Sequence, residues 1–510
     1  MRQLNLVLAL AAVLGGASSA QALQLAADGR GQVLLFPYYT VNGGNQTLIS
    51  IVNTTINGKA TKLVFREGLN SRVALELSIY IAPYDVWTGA VFSVDETGAA
   101  HLVTHDNTCT LPRLKTSTSL PILPNGSRYV AFSNAAYSGS SDDAGPDHLA
   151  RTREGHFELI EMGEIPNNTP RNTLAAISQG PSGTPANCLQ IERAWLPGGY
   201  WQLDAATEME APGGGLFGSA YYVDVLNGTM QSIAADAIED FSTKVLHAAP
   251  AQGQPTLASA NAGAATQIEA HIFVDGAPLT LRYPSPEQAI DAVSAVLMAG
   301  EIHNEFVTGA NIGGASEWVV AFPTKHFYTD RDAGRAIAPF TRTFSAVTTS
   351  EGVALVDFDA AGWTRSGTAA QCIEPLGGGG CFVGVPPPRP PPQLGWAVNV
   401  IGFNQLNTSP GQSLILGSPR NHALELYDPM DFSVLAEGTF RMSFWDPDSA
   451  AYLNQYQLRA DANGRRLHGL PVQGFWIASY TNTAVTPGVL ANYSDAVSHR
   501  ARTSISGVAP

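Results

Sequence analysis

Charge is scarce in this chain of 510 residues: Asp, Glu, Lys and Arg together supply 14% of it. Basic residues are the scarcer sign, 28 against 43 acidic ones, for a formal net charge of −15. Nucleic-acid binding needs a basic surface, so no nucleic acid is expected as a partner. Beyond the N-terminal segment there is no apolar run of the roughly 20 residues that a membrane helix requires, so no transmembrane helix is expected in the mature chain. Chemical motifs are missing as well. There is no G-x-S-x-G elbow, no H-E-x-x-H pair and no phosphate loop. Cysteine is rare: Cys109, Cys188, Cys372 and Cys381. No C-x-x-C and no neighbouring His pair occur, which argues against zinc.

What is present begins at the N-terminus. Arg2 precedes the apolar run Leu4 to Leu14, and Ala20-Gln21-Ala22 forms an A-x-A cleavage site. This order of regions is a secretory signal peptide over residues 1–22, with the mature chain starting near Leu23. The expected destination is the cell surface, the periplasm or the medium. An even cysteine count in an exported chain suggests disulfides. Three pairings are possible; the expected one joins Cys372 to Cys381 across a Gly-rich loop and Cys109 to Cys188 across the first half.

The strongest periodicity lies in Val73 to Ile81, where five aliphatics alternate with Ala74, Glu76, Ser78 and Tyr80. Period two predicts a half-buried strand. Leu63 and Phe65, alternating with Lys62, Val64 and Arg66, predict a second. Ile49 to Asn53 has apolar residues on both faces and reads as a central strand. Asn57-Gly58 and Gly68 to Ser71 supply turn residues, so the three strands are expected as one antiparallel meander. Val33 to Leu35 predicts an earlier strand, stopped by Pro37, with Tyr38 and Tyr39 at a sheet edge. Ser232 to Phe241 is read as a short helix. Ser285 as cap and Pro286 at the first position predict a helix near 286–298. Ser413 to Leu416 and Gly474 to Tyr480 are among the later predicted strands. The fold class is therefore mainly β, with two β-sandwich-like domains of antiparallel strands and one or two short helices. The domains are expected at 23–247 and 266–510, joined by a linker or long excursion at 248–265. A Gly/Pro-rich loop is expected at 372–395.

Three groups of residues are candidates for chemistry. Asp142, Asp143 and Asp147 place carboxylates in a Gly-containing loop, the ligand type calcium takes, although the spacing is not that of an EF-hand. A solvated loop is the simpler reading and no cofactor is expected, with calcium as the one considered. Glu154, Glu158 and Glu161 offer paired carboxylates of the kind glycoside hydrolysis uses, with salt bridging to Arg151 and Arg153 as the simpler account. Tyr84, Trp87, Tyr200, Trp201, Tyr221 and Tyr222 lie beside turns and would suit a sugar-stacking platform if they converged; aromatic residues more often complete a core.

The segments LLFPYYT, TLISIVNTT, IAPYDVW, RTREGHFELIEMG and VLANYSD…SHR resemble a group of secreted, mostly uncharacterised proteins of Gram-negative bacteria, some labelled cell-surface proteins. The resemblance implies export and brings no functional residue with it. The expected function is non-enzymatic: a structural or adhesive role at the cell surface or in the envelope. The partner would be an envelope component, a surface glycan or another protein. The alternative is a secreted carbohydrate-binding or carbohydrate-active protein.

Overall fold

The computed structural model describes residues 22–263, 266–330, 336–346, 351–370, 372–375, 392–406, 412–447, 453–482 and 491–507. Met1 to Gln21, and with them most of the expected signal peptide, lie outside the described residues. So does Cys381, and with it the expected Cys372–Cys381 pair and most of the 372–395 loop. The described chain is mainly β, built of antiparallel sheets with short helices.

The first half supplies thirteen strands: β1 (Gln24–Leu25), β2 (Val33–Thr40), β3 (Asn45–Asn53), β4 (Gly58–Glu67), β5 (Val73–Ile81), β6 (Val86–Phe92), β7 (His101–Val103), β8 (Cys109–Leu111), β9 (Tyr129–Ala131), β10 (Glu154–Ile165), β11 (Leu216–Asp224), β12 (Thr229–Ala234) and β13 (Asp236–Glu239). They form two sheets. One has seven strands in the order β1-β13-β2-β10-β4-β5-β8, the other six in the order β12-β11-β3-β6-β7-β9. The sheets face each other across a shared core. Leu34, Phe36, Leu63, Phe65, Phe157 and Leu159 come from the first, and Ile49, Ile51, Trp87, Ala220 and Tyr222 from the second. Phe157 stacks on Phe36 with centroids 4.2 Å apart and on Phe65 at 5.1 Å. The Tyr222 hydroxyl crosses between the sheets to donate to the Tyr38 carbonyl at 3.1 Å.

The predicted strands form, but not all pair as expected. β4 and β5 are joined by the turn at Gly68 to Ser71 and pair directly. β3 instead pairs with β11 and β6 in the other sheet. Asn57-Gly58 is therefore a crossing from one sheet to the other, not a hairpin. β2 runs through Pro37 in the interior of its sheet. Proline is tolerated there because β13 pairs only with Val33 to Leu35, and β10 shifts register between Gly155 and Phe157 opposite it. Tyr38 and Tyr39 are buried, not edge caps. Ser232 to Phe241 holds the end of β12 and the whole of β13, not a helix. The turn at Asn227-Gly228 folds β12 back onto β11, and that pairing decides between two periods that the short apolar set fits equally.

Helices α1 (Thr173–Ile177), α2 (Cys188–Ala194) and α3 (Tyr200–Leu203) pack with Ala60, Tyr80 and Met162 at one end of the seven-stranded sheet. The disulfide Cys109–Cys188 ties α2 to edge strand β8. It closes a loop of 79 residues, which loop-closure entropy values at roughly 4 kcal/mol. Helix α4 (Ala289–Leu297) begins after Gln288, later than Ser285 and Pro286 predict, and carries no side-chain cap. Helix α5 (His326–Thr329) follows the strand Gly314–Ala321.

That strand is the structural centre of the second half. Trp318 and Val320 point into one core and Val319 and Ala321 into the other, the core between the two large sheets. Val398, Val400, Phe475 and Ile477 from its neighbouring strands enter the second core as well. Leu23, Val33, Leu35, Ile160 and Ile238 of the first half in turn line the core of the second. Both cores thus cross the expected boundary. Residues 248–265 include a short 3-10 helix, Leu257–Ser259, whose Leu257 is fully buried with Ala260 and Ala262. Ser413 to Leu416 is a turn, held where the fully buried Glu317 carboxylate accepts from the Ile415 and Leu416 amides at 2.7 and 3.0 Å.

Candidate interaction surface

The outer face of the seven-stranded sheet carries the charges that the alternation of β4 and β5 assigned to solvent, and they are buried. Arg66 Nη2 meets Glu158 Oε1 at 2.8 Å, and Lys62 meets Glu76 at 3.0 Å. Lys62 Nζ also donates to the Gln254 carbonyl in the 248–265 segment at 2.8 Å. Arg72, at the start of β5, donates to Asp330 just after α5 at 2.7 Å. The amides of Ala397 and Val398 donate to the carbonyls of Leu69 and Gly68. The second half thus covers this face and its β4–β5 turn. His156 on β10 is fully buried beside Arg66. Burial, and then that guanidinium, push the imidazole down to about 3, so it stays neutral and pairs with the Ser71 hydroxyl at 2.8 Å.

The three candidate glutamates are all engaged. Glu158 pairs with Arg66, as above. Glu161 meets Lys59 Nζ at 2.9 Å and accepts from the amides of Gly213 and Gly214. Burial pushes its carboxyl up to about 7, with Lys59 opposing. Glu154 accepts from the Tyr38 hydroxyl at 2.9 Å and from Arg420 of the second half at 2.6 Å. Salt bridging does account for these carboxylates, but through Lys59, Arg66 and Arg420, not through Arg151 and Arg153. Arg153 donates to Asn42 and to the carbonyls of Val41 and Asp95.

Arg151 lies at the centre of the acidic loop. Its guanidinium is fully buried and binds two carboxylates, Glu67 at 2.7 and 3.0 Å and Asp143 at 2.9 and 2.5 Å. Tyr137 covers it 4.2 Å away. Burial raises the Asp143 carboxyl, but Arg151 outweighs it and holds the group below its ordinary value. Asp143, weighed above as part of a solvated loop or as a calcium ligand, therefore faces a guanidinium. Asp142 accepts from the Ala144 amide, and the Asp147 carbonyl from Asn134. No group of three or more metal-binding side chains suited to a metal ion occurs among the described residues.

The aromatic candidates do not converge. Trp87 and Tyr222 are buried in the core between the sheets. Trp201 is buried under α1 to α3, in contact with Tyr80, Trp195, Tyr200 and His247. Tyr84 is exposed at the turn before β6. Only Tyr221 stands on the outer face of the six-stranded sheet.

Among the described residues, that outer face is the one broad sheet surface of the first half that the second half leaves open. β3 alternates buried and half-exposed residues along its whole length, with Gln46, Leu48, Ser50 and Val52 outward. Val86, Thr88, Ala90 and Phe92 point out of β6. Phe217, Ser219, Tyr221 and Val223 point out of β11, and Met230, Ser232 and Ala234 out of β12. The pairing register lines them into rows: Ser232, Tyr221, Leu48, Ala90, Val103 and Tyr129 form one row across all six strands. No Asp, Glu, Lys or Arg occupies an outward position of these strands. Charge returns only at the rim, where Asp106 accepts from the Thr88 amide and Asp85 adjoins β6. One sheet edge is covered where Ser494 Oγ donates to the Met230 carbonyl at 3.0 Å. The sequence signal for this face is the doubly apolar pattern of β3. It predicts a central strand, and β3 is an interior strand of its sheet; the same pattern also describes an apolar face left open.

Compared with known protein families, with curated proteins and with solved structures, the chain has no match.

Proposed function

We propose that this is an exported protein of the cell surface or envelope, and that it works by contact, with a structural or adhesive role, through the outer face of its six-stranded sheet. One observation carries the reading: a broad uncharged face of aliphatic and aromatic side chains on a chain whose net charge is −15. Contiguous exposed apolar surface of this kind marks interaction sites. An uncharged centre with a charged rim is the usual anatomy of a protein interface. The signal-peptide pattern and the resemblance to secreted proteins support export.

Leu48 and Tyr221 are direct cross-strand neighbours on this face, so a pair of lysines there tests the reading. In cell fractionation, tagged Leu48→Lys/Tyr221→Lys protein should shift from the envelope fraction to the soluble or medium fraction while keeping its fold. Unchanged retention of a folded variant would refute the contact role of this face.

A second reading is favoured by Phe92, Tyr129 and Tyr221 standing among Ser, Thr and Gln on the same face: the partner is a neutral surface glycan. Affinity electrophoresis in neutral polysaccharide gels separates the two. A glycan partner predicts retardation that Tyr221→Ala removes; a protein partner predicts none.

A further inference from the structure

One cavity lies away from that face, where the two halves meet. It measures about 310 Å³, within the range of small-ligand sites and room for about ten non-hydrogen atoms at liquid-like packing. β1 and β13 form one wall. The hairpin strand Gln267–Val274, the end of α4, and the segments around Val472 and His499 form the rest. Ile272, Leu297, Met298, Ile302 and Val472 make the lining mostly apolar.

Its polar lining is one carboxyl, two glutamine amides, two histidines and two hydroxyls, His271 already bonded through Nδ1 to Thr280. No Lys or Arg lines the cavity. His499 is neutral and fully committed: burial pushes it down to about 3, Nε2 bonds the Val319 carbonyl at 3.0 Å, and Nδ1 meets the Asn304 amide at 3.2 Å. Asp236 is the one carboxyl in the lining, and it accepts from Gln473 Nε2. Burial pushes that carboxyl up, as happens when no cation stands beside it. Gln473 is itself 95% buried, since its exposure is 5%. Its Oε1 has no hydrogen-bond partner among the described residues. A buried amide oxygen without a donor is costly to leave unmatched. Since Oε1 and Nε2 share one carbon, that free acceptor sits within a single amide of the Asp236 carboxylate.

We propose that this cavity binds a small organic cation: an apolar body among Ile272, Leu297 and Val472, and an ammonium that pairs with Asp236 beside the Gln473 amide. This site is separate from the open sheet face, so the two readings stand or fall independently.

Calorimetric titration of the folded mature protein with three near-isosteric probes tests it. They are 2-phenylethylammonium, 2-phenylethanol and phenylacetate. The ammonium should saturate one site and bind at least tenfold tighter than the alcohol, with the anion weakest. Asp236→Asn should cut ammonium affinity at least tenfold. Ser498→Trp, an exposed position at the cavity mouth, should abolish binding without touching the polar pair, and it serves if Asp236→Asn does not fold. No saturable binding of the ammonium, equal binding of alcohol or anion, or ammonium affinity unaltered by Ser498→Trp would overturn the proposal.

Discussion

The two large sheets share one core and differ in what covers their other faces. Over the seven-stranded sheet lie α1 to α3, residues 248–263, α5 and the 397–398 segment. Beneath that cover sit Lys62, Arg66 and Glu158, all with 5% exposure or less, while Lys59, Glu67 and Glu161, equally buried, lie on the face turned to the other sheet. The outward positions of the six-stranded sheet carry no such residue and are left open. The usual arrangement, charge outside and apolar residues inside, is inverted between them. Buried charges on this scale persist only when each has a partner at close range, and here the partners come from distant parts of the chain. An open face without charge, in contrast, has nothing to hold water or to repel an approaching surface. The comparison teaches that in this protein ion pairs bind the molecule to itself, and their absence marks where it meets something else.

Three changes put the contrast under strain. The largest effect belongs to Arg151→Met, which leaves Glu67 and Asp143 buried without their guanidinium. Removing one member of a buried ion cluster costs about 3–5 kcal/mol, so the urea midpoint should fall steeply or folding should fail. Adding Glu67→Gln and Asp143→Asn should restore part of it. If Arg151→Met were as stable as the parent, the buried cluster would not be what holds the acidic loop against β4.

An intermediate effect is expected from pH. His156 sits at about 3 in the folded protein against an ordinary value of 6.5. Its neutral form is favoured by folding, so its contribution is complete above about pH 6.5 and is lost as pH falls toward 3. Glu161 has the opposite sign: raised from 4.5 to about 7, it favours the fold at low pH and weakens it as pH rises through that window. One proton of difference gives a slope of about 1.4 kcal/mol per pH unit. The Tm of His156→Gln should therefore fall less than that of the parent between pH 6.5 and 4. An identical profile would mean that His156 does not titrate as its burial implies.

The smallest effect on stability belongs to the open face. Leu48→Lys/Tyr221→Lys should change unfolding free energy by about 1 kcal/mol or less, since solvated surface positions move stability little, and should leave the pH profile unaltered. A loss as large as that of Arg151→Met would show that this face is covered within the molecule.

Local pattern made the strands legible. Val73 to Ile81 was legible because each apolar residue on the inner face has a polar or small neighbour, a two-residue period that needs no knowledge of the rest of the chain. What covers a strand was not legible. Lys62, Val64 and Arg66 read as a solvent face, and they are buried because the carbonyl of Gln254 and the residues around Asp330 arrive from about 190 and 260 positions away to lie over it. Ser232 to Phe241 failed for a related reason: the partner strand, not the segment's own period, chose its conformation. The doubly apolar pattern of β3 was noticed, but pattern alone does not distinguish burial on both sides from an open contact face. Among the aromatic candidates, Tyr221 lies on that face while Trp87, Trp201 and Tyr222 went to cores, because adjacency to a turn says nothing about the side of the sheet a ring occupies.

The dual role of the strand Gly314–Ala321 sets an order of events during synthesis. The space between the two large sheets is completed by Val319, Ala321, Val398, Val400, Phe475 and Ile477, so the first half emerges with a gap that only late-arriving residues fill. Contacts this distant in sequence close slowly. A chain halted at residue 247 would expose a greasy notch and leave the buried Glu154 without Arg420, and would be a target for chaperones and proteases instead of a smaller working protein.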